Sequence, residues 1–123
     1  MRYLIVFALL LFSCSQNKDS AISVADFLEF INVEDCLLID VRSAEEYVQG
    51  HIVGSATIDL YSPEFESKFM FIKPNQKMAL YCNRGKRSEE AIYLLKDLGY
   101  TDIVQLNGGL NAWKSEGYEI VEE

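Results

Sequence analysis

Short apolar runs alternate with helix-period stretches from Ile22 to the end of the chain, and that alternation constrains the fold more than any other feature. Leu37-Leu38-Ile39 and Met78-Ala79-Leu80-Tyr81 are unbroken apolar runs of strand length, the pattern of strands buried on both sides. Ile103 to Leu106 is a further strand, and Ile52 to Ile58 a shorter β-leaning run. Between them, Val24, Phe27, Leu28 and Ile31 mark one face of a helix over residues 24–33. Ser43 with Glu46 three residues on has capping-box spacing and opens a helix that runs to about Gln49 and stops at Gly50. Pro63 to Phe71 predicts a modest helix, and Ser88 to Leu98 a longer one ended by Gly99. Gly109 to Glu116 predicts a closing helix ended by Gly117. Strands and helices in this order predict an α/β domain with a mainly parallel sheet.

A chain of 123 residues is one domain's worth of material, and half of it is apolar. Nineteen acidic residues against 11 basic ones give a formal charge of −8, which argues against nucleic acid or an anionic membrane surface as main partner. One His and three Cys leave no zinc-finger or multi-His spacing, so no metal is expected, and an odd Cys count argues against a disulfide framework.

Residues 1–20 read as a separate object. Tyr3 to Phe12 are ten unbroken apolar residues behind Met1-Arg2, too short for the roughly 20 that cross a bilayer as a helix. A basic start, a short apolar run and then small residues are the layout of a secretory signal. Leu11-Phe12-Ser13-Cys14 resembles the lipobox of bacterial lipoproteins, where the Cys becomes the lipidated first residue. The expected organisation is a lipoprotein-type signal over 1–13, a polar tether over 14–20 and a domain over 21–123. The domain would then sit in the bacterial cell envelope outside the cytoplasm, meeting the membrane only through a lipid on Cys14. An ordinary cleaved signal and a buried N-terminal helix are the alternatives.

The candidate chemistry lies after Met78–Tyr81. In parallel sheets ligands bind beyond the carboxyl ends of the strands. There the chain reads Cys82-Asn83-Arg84-Gly85-Lys86-Arg87, with Ser88 opening the next helix. A thiol in a short loop before a helix N-terminus meets free first-turn N–H groups, the positive end of the dipole and three cations. Such surroundings favour the ionised, nucleophilic sulfur, and Gly85 lets the loop curl around it. The competing reading is a small buried Cys beside solvated charges. Against it, cations at a helix start repel the dipole, and an anion bound in the loop would compensate.

Three segments together resemble the single-domain rhodaneses, which are sulfurtransferases. Leu38-Ile39-Asp40-Val41-Arg42 with Glu46-Tyr47, then Gly50-His51-Ile52 and Gly54-Ser55-Ala56, is similar to the family's N-terminal signature. Cys82 to Ser88 is similar to its active loop, and Leu106-Asn107-Gly108-Gly109 with Ala112-Trp113 and Gly117 to its C-terminal signature. Thr57 departs from the pattern, standing where the family often has Asn.

The resemblance implies a sheet of about five strands with helices on both faces. It also implies a ping-pong reaction without cofactor: Cys82 takes a sulfane sulfur from a small anionic donor, thiosulfate or polysulfide, and passes it to a thiol or protein acceptor. The loop residues Asn83, Arg84, Gly85, Lys86, Arg87 and Ser88 would bind the donor and the persulfide, with Arg87 the foremost cation. Asp40 and Arg42 are expected as an ion pair or loop anchor on the same rim, and His51 as a residue that orders its turn. Trp113 and Tyr47 are expected as core aromatics and Cys36 as an inert core thiol. A phosphatase or arsenate reductase, whose loop carries Arg one residue later than Arg87 stands, is disfavoured by loop length. A non-enzymatic binding or persulfide-carrier module remains the rival class.

Overall fold

The computed structural model describes residues 20–123, so the expected signal, Cys14 and most of the tether lie outside the described residues. Five strands, β1 (Ala21–Ile22), β2 (Leu37–Asp40), β3 (Ala56–Thr57), β4 (Met78–Tyr81) and β5 (Ile103–Leu106), form one sheet in the order β1-β5-β4-β2-β3. Every strand pair is parallel, as the alternation predicts. β4, the most uniformly apolar run, takes the central place and is buried along its whole length. β2 is less protected than its sequence suggests, because Leu37 remains 39 % exposed at the sheet's lower end.

Five helices connect the strands: α1 (Val24–Ile31), α2 (Ala44–Gln49), α3 (Phe65–Phe69), α4 (Lys86–Asp97) and α5 (Gly109–Ser115). α3 and α4 cover one face, where Phe65, Phe69, Ala91, Ile92 and Leu95 pack on Ile39, Met78 and Leu80. α1 and α5 cover the other, where Phe27, Leu110 and Trp113 pack on Leu38, Ala79 and Leu106. The period of two along β4 thus feeds two separate cores.

Helix starts follow their sequence signals. The Ser23 hydroxyl accepts the Asp26 N–H at 3.1 Å. At α2 the full capping box forms between Ser43 and Glu46. α4 departs from expectation by opening at Lys86, two residues before Ser88. Gly85, at φ +104°, makes the turn that L side chains rarely adopt, so helical geometry begins directly after it. Ser88 joins Ala91, Ile92 and Leu95 on the buried stripe of α4.

Candidate active site

β4 delivers Cys82 to the carboxyl edge of the sheet, at the floor of an open cleft of about 570 Å³ lined also by Tyr61, Asn83, Arg84, Lys86 and Arg87. The Sγ accepts the Gly85 N–H at 3.1 Å and the Ser88 N–H at 3.4 Å. Gly85 has no side chain with which to cap α4, and the sulfur takes that role for the third helical N–H. The sulfur therefore sits where a helix start presents positive charge. The Ser88 hydroxyl lies 3.5 Å from the sulfur and donates to Gln105 Oε1 at 2.6 Å.

The loop is held from beneath by α5. Two of its first-turn N–H groups, those of Leu110 and Asn111, donate to the carbonyls of Cys82 and Asn83 at 2.8 and 3.1 Å. The expected pair of Asp40 and Arg42 forms on the adjoining strand end. Arg42 donates from Nη2 to Asp40 at 2.7 Å, from Nη2 to the Gly50 carbonyl at 2.6 Å, and from Nη1 to Asn83 Oδ1 at 3.0 Å. Burial is the largest single influence and works against the Arg42 charge, but hydrogen bonding to Asp40 together with attraction to Asp40 and neighbouring groups outweighs it, and the pKa is raised.

Arg87 is not a bare cation facing the cleft, as the loop sequence alone suggests. Its Nη1 and Nη2 donate to the two Glu46 carboxylate oxygens at 2.7 and 3.0 Å. Asn83 Nδ2 also donates to Glu46, at 2.7 Å. The Arg87 hydrogen bonds are the main reason the Glu46 pKa falls to about 2, against the opposing effect of burial. Arg84 and Lys86 are exposed and form no ion pair among the described residues.

Glu46 and Gln105 are the contributors that sequence reasoning did not assign. Glu46 was legible as a helix cap, and a carboxylate on the same rim as three cations was the available signal. Gln105 carries no local signal, since it falls inside a strand run.

The remaining candidates surround the site without entering it. His51 Nδ1 lies 2.7 Å from the Tyr47 carbonyl, and its ring stacks on Tyr47 at 3.6 Å, ordering the turn as expected. Tyr47 is only half-buried, because it lies over that turn and not in a core. Trp113 is buried against Phe27. Cys36, also half-buried, is a free thiol level with the opposite end of β2, and burial pushes its pKa up. By strand register it lies five residues along the sheet from Cys82, about 16 Å, far beyond disulfide reach. No group of metal-ligating side chains occurs among the described residues.

Residues 23–116 match the Rhodanese-like domain family. A thiosulfate sulfurtransferase, GlpE, of Pseudoalteromonas translucida is 33 % identical over 102 residues, covering 82 % of this chain and 94 % of that protein. A sulfurtransferase of Allochromatium vinosum is 31 % identical over 90 residues, covering 73 % of this chain and 82 % of that protein. A solved structure, a rhodanese-related protein from Thermoplasma volcanium, has a TM-score of 0.71 at 34 % identity over 84 % of this chain and 98 % of that one. Sequence and fold agree over the same span, and the chain belongs to the rhodanese-like domain family.

Proposed function

We propose that the chain is a sulfurtransferase that moves a sulfane sulfur from thiosulfate or polysulfide to a thiophilic acceptor through a persulfide on Cys82. The observation that carries this reading is the pair of N–H groups, from Gly85 and Ser88, converging on the Cys82 sulfur at the floor of a cation-lined cleft. With thiosulfate, the Cys82 thiolate attacks the outer sulfur. A Cys–S–S bond forms, the donor's S–S bond breaks, and sulfite leaves with the electron pair. The terminal persulfide sulfur carries the negative charge beside the first-turn N–H groups of Lys86 and Arg87, which by position have no intrahelical acceptor. An acceptor thiolate or cyanide then attacks that outer sulfur and Cys82 leaves as thiolate. No general base is required when both nucleophiles are already ionised.

Intact-mass measurement after exposure to thiosulfate or polysulfide tests the reading, with Cys82→Ser as control. One added sulfur on Cys82, discharged by cyanide or a thiol, is the expected result. No added sulfur from either donor on the folded protein would overturn it and favour a binding module. The same reading extends to location: the basic start, the apolar run and Cys14 support a domain held outside the cytoplasm by a lipid. Fatty-acid labelling that survives in Cys14→Ser would refute that part.

A further inference from the structure

Three cations lie in the active loop, but one of them is already neutralised. Both terminal nitrogens of Arg87 are engaged by Glu46 in the bidentate geometry that matches a guanidinium to a carboxylate best. Glu46 is itself fixed from several sides. It caps α2 by accepting the Ser43 N–H at 3.4 Å, and it also accepts the Ser43 hydroxyl at 3.1 Å and Asn83 Nδ2 at 2.7 Å. Asn83 in turn accepts Arg42, which is anchored on the fully buried Asp40. Arg87 is therefore the last member of a chain, Asp40–Arg42–Asn83–Glu46–Arg87, rooted in the sheet. The depressed Glu46 pKa keeps the neutralising charge in place at neutral pH. Arg84 and Lys86 remain as the cations that an incoming anion meets.

We propose that Glu46 is a positioning residue that sets the charge selectivity of the Cys82 cleft: by holding Arg87 in a neutral pair, it lowers by one the positive charge facing the donor and tempers the preference for dianions. This rests on Cys82 as the reacting sulfur, but the charge effect itself does not depend on sulfur transfer.

Alkylation of Cys82 in the full chain, followed by site-resolved mass spectrometry, reads the effect directly. The ratio of the iodoacetate rate to the iodoacetamide rate reports the charge felt at the sulfur, and dividing by the neutral reagent cancels changes in intrinsic thiol reactivity. Glu46→Gln should raise that ratio about two- to fivefold, the effect of one elementary charge in a solvent-open cleft. Glu45→Gln, the same charge change one residue away on an exposed site, should move it much less. Arg87→Gln should lower the ratio below wild type, and the charge-balanced pair Glu46→Gln/Arg87→Gln should restore it. A Glu46→Gln ratio equal to that of wild type or of Glu45→Gln would overturn the proposal, as would a double variant that matches Arg87→Gln. If Glu46→Gln failed to fold, an unchanged ratio in Arg87→Gln would still refute it. In parallel, Glu46→Gln should lower the thiosulfate KM by about two- to fivefold, the same charge effect read on the donor. Absence of any transfer by the wild type would defeat the proposed function and leave the alkylation result standing.

Discussion

Gly109 and Cys82 are in contact so close that no side chain fits between them. A Cβ on Gly109 would stand 2.4 Å from the Cys82 carbonyl oxygen and 2.5 Å from the Asn83 carbonyl carbon. Gly109 also has φ +58°, in the left-handed region. The glycine pair at the start of α5 therefore allows the helix to press directly on the backbone of the Cys82 loop, with Leu110 donating to that same carbonyl.

Gly109→Ala should accordingly destabilise the domain by about 3 kcal/mol, combining an unfavourable φ with overpacking against rigid backbone. The shifted loop should also change the rate of Cys82 alkylation. A urea midpoint and an alkylation rate equal to wild type would show that the loop yields without cost.

Acid should dissolve one particular stabilising contact. Glu46 has a folded pKa of about 2 against an ordinary 4.5, so its contribution is fully present above pH 4.5 and is lost as pH falls toward 2. The group is partly solvent-exposed, so the Glu46→Gln variant should be weaker by about 1–2 kcal/mol at neutral pH. Urea unfolding of both proteins should show that gap closing between pH 4.5 and 2. A gap that stays constant down to pH 2 would refute the assignment.

Cys36→Ser should leave the sulfur-loaded form of the protein intact. Cys36 lies level with the far end of β2, so it has no route to a sulfur carried on Cys82 as the proposed function requires. Intact mass after donor treatment is the measurement, and loss of the added sulfur in this variant would contradict the register argument.

Tyr81→Phe should cost about 1–3 kcal/mol, because it strips a buried N–H of its acceptor. The Tyr81 hydroxyl accepts the Ile52 N–H at 3.0 Å and pairs with Ser55 Oγ at 2.9 Å, tying the Gly50–Ala56 turn to the central strand. Burial, with the nearby Asp40 charge, raises its pKa and keeps it a neutral phenol. Thermal unfolding at neutral pH checks the cost; an unchanged midpoint would mean that the turn holds without it.

The central strands were legible because burial on both faces writes unbroken apolar runs, and β4 and β5 carry the bounds that their residues suggest. β1 and β3 are two residues each, too short to show any alternation, and pairing with a neighbour is what makes them strands. The loop around Cys82 could be located from a thiol, a glycine and cations in local order. The Glu46–Arg87 pair could not, since it joins positions 41 residues apart and depends on where α2 lies over the loop. Likewise, the start of α4 moved to Lys86 because Gly85 supplies the turn and Cys82 supplies the cap, a tertiary substitution for a Ser N-cap.

The adjacent pair Tyr81 and Cys82 sends its two side chains into opposite cores, the phenol toward α1 and α5 and the thiol toward α3 and α4. A slip of β4 by a single rung between β2 and β5 would exchange them, seating a bulky phenol in the anion cradle and entombing the sulfur on the wrong side of the sheet. The Cys82 sulfur is thus aimed by the backbone pairing of Met78 through Leu80 with its neighbours on both flanks. Misregistered chains, however compact, would lack the two N–H groups that converge on the sulfur, so the native pairing is a condition for any chemistry the loop performs.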